Sequence, residues 1–192
     1  KMFIELSEVA SIFNGKTPAK SDKRDDGYPV LKIKDIGPNS FFRGFQSFVE
    51  EEFADKFRNK KLEIGDTLIL NAAHNSSYVG SKQYYASSSV QGALPTGEWL
   101  IVRPDQTKAN PKYIKYWLGT ARTKSLITDI VKGIHLYPKD VARLKIGLPP
   151  LQEQKRIAAI LDQAEELKQK RQRSLDLLEE LKQSIFIDMF GD

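Results

Sequence analysis

The chain has 192 residues, with 30 Lys and Arg, 25 Asp and Glu, two His and no Cys, a length that builds one good core rather than two large domains. Without cysteine, neither a disulfide framework nor a thiolate zinc site holds the fold. No apolar run approaches the roughly 20 residues that cross a bilayer and no basic-then-apolar leader opens the chain, so a cytoplasmic protein without membrane contact is expected.

The Lys1-Met2 start reads as a tag remnant or the edge of an excised piece. Ser7 is placed to cap a short helix carrying Val9, Ile12 and Phe13, which Asn14-Gly15 would end. Tyr28–Ile36 sets Val30, Lys32 and Lys34 against Leu31 and Ile33, the alternation of a strand with one wet face. Phe41–Val49 is a second strand candidate, aromatic-rich and broken at Gly44. Glu50-Glu51-Glu52 reads as an exposed helix start. Gly65-Asp66 is a turn feeding the apolar run Leu68-Ile69-Leu70, and Trp99–Val102 is a further strand. Helices are expected over Pro111–Leu118 and Thr123–Val131, and a last short strand over Leu144–Leu148. The expected fold class is α+β: an irregular β-rich globular domain with peripheral helices over residues 1–150, followed by one long C-terminal helix over 151–192.

The boundary is Pro149-Pro150, which stops what precedes it and presets the backbone for a helix start. Beyond it no Gly or Pro appears until Gly191. Ile157, Ile160, Leu161, Ala164, Leu167, Leu175, Leu178, Leu181, Ile185 and Met189 follow in steps of mostly three and four, which describe one stripe on a helix. A helix from Glu153 to Phe190 is about 57 Å long at 1.5 Å per residue, longer than a 150-residue domain is wide. Most of it must project or find a partner. Lys168, Arg171 and Ser174 interrupt the stripe, either as a solvated middle section or as register-setting positions of a coiled coil. In both cases a second helix is implied, from this chain or another, to cover the apolar patches.

Charge divides at the same place. Residues 151–192 hold 7 basic and 9 acidic side chains, which leaves 23 and 16 in residues 1–150. The first part is therefore +7 and the second −2. Catalytic motifs are thin within it. His74 and His135 lack metal-ligand spacing, and no nucleophile elbow, Walker loop or dinucleotide fingerprint is present. Asn110-Pro111-Lys112-Tyr113 resembles the Asn-Pro-Pro-Tyr tetrapeptide of amino-methyltransferases but departs at the third position. An Asn N-cap followed by Pro at the first helical position explains the same residues.

Three polar loops in the +7 region point instead to nucleic acid. In the first, Lys16, Thr17, Lys20, Lys23 and Arg24 are candidates for phosphate contacts. Asn75, Ser77 and Tyr78, then Lys82 and Gln83, and His135 in the third loop, are candidates for base edges or for positioning them. Tyr84-Tyr85 and Phe41-Phe42 offer rings for stacking on RNA bases, although core packing is the simpler use of them.

The segment Leu144–Asp162, LKIGLPPLQEQKRIAAILD, resembles the conserved-region signature of type I restriction–modification specificity (S) subunits. Leu6–Ala10, Gly15–Pro18, Tyr28–Ile36, Gly65–Ile69, Gly133 with Leu136, and Ser184–Gly191 are similar to the same family. The resemblance implies a half-length form: one target-recognition domain at 1–150 and one conserved helix at 151–192. It implies a non-catalytic subunit that recognises half of a bipartite site in double-stranded DNA. Such a subunit docks adenine methyltransferase (M) subunits, which use S-adenosylmethionine, and restriction (R) subunits, which use ATP and Mg. No cofactor or metal is expected in this chain itself. A usual S subunit pairs two such helices antiparallel within one chain. A single one implies a homodimer, paired as an antiparallel coiled coil through Ile157, Leu161, Ala164, Leu167, Leu178, Leu181 and Ile185. The alternative is a coiled-coil structural or adaptor protein without sequence-specific DNA binding. A methyltransferase reading of Asn110–Tyr113 would instead require S-adenosylmethionine binding by the chain alone.

Overall fold

The computed structural model describes residues 3–191, so the Lys1-Met2 start and Asp192 lie outside the described residues. In chain order the elements are strands β1 (Phe3–Glu5), β2 (Ala10–Asn14), β3 (Lys23–Arg24), β4 (Tyr28–Leu31) and β5 (Phe48–Val49), and then helix α1 (Glu51–Lys56). Strands β6 (Thr67–Leu70), β7 (Gln83–Tyr85), β8 (Leu94–Pro95) and β9 (Trp99–Pro104) follow. Helices α2 (Pro111–Gly119), α3 (Ala121–Asp129) and α4 (Pro138–Ala142), strand β10 (Lys145–Gly147) and helix α5 (Leu151–Phe190) complete the order.

The central sheet runs β2-β9-β6-β7 and is antiparallel throughout. Its inner strands are covered on both faces, and for that reason Leu68-Ile69-Leu70 is continuously apolar in sequence. The pleat nevertheless sorts the side chains by alternation. Ile69, Leu100 and Val102 enter a core with Ile114 and Leu118 of α2, Ile127 of α3 and Val141 of α4. Leu68, Trp99 and Ile101 enter a second core with Leu31, Ile36, Leu62 and Tyr84. A second sheet, β3-β5-β4-β8, contributes Leu31 to that core and contains a parallel pair, β4 with β8. Strand β1 pairs with β10, tying the beginning of the described chain to the strand just before the long helix.

Residues 10–14, expected as the body of a Ser7-capped helix, are a strand. Only Leu6–Glu8 coils, as one 3-10 turn closed by the Glu8 carboxylate accepting from the Glu5 amide at 2.8 Å. Strand β2 then pairs with β9 from Ala10↔Pro104 to Asn14↔Leu100. Adjacent Ile12 and Phe13 pack against different cores, a period of two where a helix was expected. The expected strand Tyr28–Ile36 ends at Leu31. Asp35 accepts from the Lys32 amide at 2.8 Å and closes a turn over Ile33–Asp35, a local bond that competes with the ladder. Of Phe41–Val49 only β5 is strand, because Gly44 at φ 101° turns the chain while Phe42 and Phe45 stack edge-on against the second core. The other expected elements form within a few residues of their expected ends.

Helix α5 is 40 residues long, about 60 Å at 1.5 Å per residue. Its first turns dock on α2 through Gln154 and Ala158, its two buried residues, with Asp162 one turn further on. From Gln163 to Phe190 every residue is exposed. At 3.6 residues per turn, Leu167, Leu178, Leu181 and Ile185 point well away from the docking face, whereas Ile157 at the start of the stripe is half-buried beside that face and Leu161 lines the cleft next to it. Leu167, Leu178 and Leu181 remain more than half exposed.

Candidate nucleic-acid interface

Several candidate residues converge at one end of the central sheet, where β2 and β6 finish and β9 starts. The Lys16 amide donates to Pro95 O at 2.8 Å, and the Thr17 hydroxyl accepts from the Gly97 amide at 2.9 Å. Buried Asn71 donates to Asn14 Oδ1 and Gly97 O, joining two of these loops. The Leu136 amide donates to Asn71 O and His135 bridges to Ala72, which brings in the third loop. Lys16, Thr17, Asn75, Ser77, Tyr78 and His135 therefore sit on neighbouring loops. Asn75 is partly committed: its Oδ1 accepts from the amide and hydroxyl of Ser77. Lys60, which the sequence did not single out, donates to Asn14 O. Burial and the neighbouring Lys16 hold its ammonium below the usual lysine range.

Lys20, Lys23 and Arg24 lie elsewhere, in the turn leading to β3 and on β3 itself, at the far edge of the second sheet from β8. Arg24 is neutralised by Glu50 at 2.7 Å and also donates to Ser21 O and Lys23 O. Asn110 caps α2, accepting from the Tyr113 amide at 3.0 Å, with Pro111 at the first helical position. The Tyr113 hydroxyl donates to Gly147 O. The resemblance of this tetrapeptide to a methyltransferase motif is accounted for by helix capping and packing.

Lys82 and Gln83 open onto a cleft of about 1230 Å³ between the globular part and α5. Its walls are the 34–43 loop, β7 with the residues around it, the α2–α3 junction and one side of α5. Lys34, Arg43, Lys82, Lys115 and Lys124 line it, against the single carboxylate of Glu165. None of those five cations forms an ion pair among the described residues. Lys115 lies over the rings of Tyr116 and Tyr85, at 4.4 and 5.7 Å from their centroids. Lys82 is held differently, donating to Ile33 O at 2.8 Å and to Ile36 O. Burial, with Arg43 adding repulsion and Asp35 offsetting part of it, holds Lys82 below the usual lysine range. Thr67 also lines the cleft, and its buried hydroxyl has no hydrogen-bond partner among the described residues. Lys34, Arg43, Lys115 and Lys124 were missed in sequence because each stands with at most one other cation nearby, and only the fold brings them to one cleft.

The wall contributed by α5 is fixed by two polar clusters. Gln154 accepts from the Asn110 amide at 2.8 Å and donates to Pro149 O at 2.9 Å and Lys108 O at 3.3 Å. Asp162 accepts from the Tyr116 hydroxyl at 2.7 Å and pairs with Lys112. Burial works against its ionisation, but the bonds from Lys112 and Tyr116 prevail and hold its carboxyl below the usual range. Among the described residues no group of three or more His, Asp or Glu is placed to hold a metal. No helix among them is long and apolar enough to cross a membrane.

Residues 1–179 match the type I restriction modification DNA specificity domain, and the chain belongs to that family. It is 25% identical over 190 residues to a protein of Methanocaldococcus jannaschii provisionally assigned as the MjaX type I restriction enzyme specificity subunit. It is 24% identical over 190 residues to the MjaVIII specificity subunit of the same organism. These alignments cover 97% and 95% of this chain but only 44% and 43% of the relatives, so the chain spans less than half of their length. The fold is similar, at TM-score 0.68 and 22% identity, to the HsdS subunit of Thermoanaerobacter tengcongensis, covering 99% of this chain and 44% of that one. It is equally similar, at TM-score 0.68 and 25% identity, to a chain from work on complex assembly and conformational transition of the type I R-M system, covering 96% of this chain and 44% of that one.

Proposed function

We propose that residues 1–150 are a target-recognition unit reading one half of a bipartite DNA site, and that residues 151–192 are its spacer and docking arm. The observation that carries this is the cleft: Lys34, Arg43, Lys115 and Lys124 face it without an ion-pair partner among the described residues, beside Lys82, which donates to two backbone carbonyls. Cations left free of internal ion pairs are the ones available to displace counterions from phosphates. The neighbouring loops bearing Asn75, Ser77 and His135 supply polar groups for base edges, and the loop bearing Lys16 and Thr17 supplies groups for phosphates.

In this reading the chain performs no chemistry. Methyltransferase subunits carrying S-adenosylmethionine and restriction subunits using ATP and Mg dock on it and act. The exposed stripe of α5 is covered by an antiparallel helix from a second copy. A twofold then sets two identical recognition units at opposite ends, with α5 as the ruler between half-sites. Mapping adenine methylation in a host expressing this chain with its methyltransferase partner tests the proposal. A bipartite motif with inverted-repeat halves is expected. Methylation that does not depend on this chain refutes the recognition role, and unrelated halves refute the twofold pairing.

A further inference from the structure

One exposed turn on the rim of the cleft combines features that nothing in the recognition unit's own packing requires. Pro38–Phe41 closes a small hairpin: the Phe41 amide donates to Pro38 O, Gly37 donates to Phe41 O, and Ile36 pairs with Phe42. Asn39 and Ser40 both have positive φ, 54° and 58°. That is the signature of a type I′ turn, whose central positions favour Asn and Gly and tolerate Ser poorly. The strained tip is held in place from behind. Lys82 donates to Ile33 O and Ile36 O, the Arg43 amide donates to Asp35 O, and the Ser40 hydroxyl donates to Gln83 O.

What this braced turn presents is unusual for a water-facing turn. Phe41 is 68% exposed although Phe42 beside it packs against the second core. Alternation in the extended stretch around the Ile36–Phe42 bridge puts Phe41 on the same side as Arg43, whose guanidinium lies over Gly37 so closely that a Cβ there would sit 2.6 Å from Nε. The tip therefore offers one amide and one ring, flanked by the unpaired charges of Lys34 and Arg43. A two-stranded ribbon enters a DNA major groove, and this turn, closed by the single Ile36–Phe42 bridge, presents the tip of one. There an Asn amide matches adenine N6 and N7, and an apolar ring matches the thymine methyl.

We propose that Asn39 and Phe41 determine sequence specificity, the Asn39 amide reading an adenine and Phe41 a thymine methyl in the major groove, while Lys34 and Arg43 hold the flanking phosphates. This rests on the DNA-recognition reading above and names where on the unit base reading occurs. The preference it predicts is for A·T pairs at the positions beneath the turn.

The test is selection of duplexes from a pool with a randomised core, by the purified full chain and by its Asn39→Gly and Phe41→Ala variants. Glycine keeps the positive φ and deletes only the amide. The wild type is expected to enrich a motif containing A·T pairs. Each variant should relax one of them by roughly tenfold to a hundredfold and leave the other positions unchanged. Replacing the matched thymine by deoxyuridine should weaken the wild type roughly fourfold and Phe41→Ala no further. A wild-type pool without any enriched motif overturns the recognition reading itself. A motif that survives both substitutions, or a loss of binding equal for all sequences, overturns the role of the turn alone.

Discussion

Replacing Gln154 by alanine is expected to release α5 from the globular part, and the size of the effect follows from its surroundings. The side chain is 1% exposed and makes three bonds, to the Asn110 amide, Pro149 O and Lys108 O. Each such bond contributes about 1 kcal/mol net, and each partner left buried without one costs about 1–3 kcal/mol. The Lys108 bond is long at 3.3 Å and counts for less. Truncation should therefore cost about 2–4 kcal/mol, a fall of roughly 5–15 °C in melting midpoint for a chain of this size. Gln154→Glu is the sharper control. It retains an acceptor for Asn110 but turns a carboxylate oxygen toward two carbonyls, so it should be at least as damaging as alanine. Thermal melting followed by circular dichroism reads both variants. If both lose less than about 1 kcal/mol, the buried amide does not fasten the helix and the reasoning fails.

Three further outcomes are expected. Arg103 binds both oxygens of Asp66, whose side chain is 1% exposed, and also reaches Lys61 O and Glu63. Arg103→Ala strands that carboxylate at a cost of about 3–5 kcal/mol in urea unfolding, and Arg103→Lys recovers little because one ammonium cannot reproduce the fork; near-normal stability of either variant contradicts this. Leu161→Asp and Leu178→Asp should each weaken helix pairing by about 2–5 kcal/mol, read as monomer by light scattering at micromolar concentration, and an unchanged dimer would show that the pairing face lies elsewhere. The Lys112–Asp162–Tyr116 latch should weaken at both ends of the pH range. Asp162 is held low, so its contribution is present above the unfolded pKa of about 4 and is lost as pH falls through its folded value. The bond to Asp162 holds Lys112 high, so its contribution is full below about pH 10 and is lost as pH rises beyond that. The pair is partly exposed and worth no more than about 1 kcal/mol. Asp162→Asn should flatten both limbs of the melting profile, and a wild-type profile in that variant would exclude the latch.

Residues whose fate is decided by their neighbours in sequence were legible. Pro149-Pro150 followed by 40 residues without Gly or Pro before Gly191 marks α5, and Asn110-Pro111 marks α2, because capping and periodicity are local properties. The same local stretch around the prolines carries the family signature. Val9–Phe13 was not legible in this way. Its spacing suits one turn of helix, but pairing with β9 some ninety residues later makes it a strand. The two-residue strands β3 and β8 are strands only because β5 and β4 lie beside them.

The candidate site divides along the same line. The sequence by itself determined that the charge is concentrated before Leu151, that a long apolar stripe follows, and that the chain resembles a specificity subunit. Which cations are free was decided only in three dimensions. Arg24 lies in a basic run yet is neutralised by Glu50. Lys34, Arg43, Lys115 and Lys124 are scattered over some ninety residues yet face one cleft without an ion-pair partner among the described residues. A sequence carries the sign of each charge, but its neutralisation depends on distances between side chains far apart in the chain, and folding alone sets those.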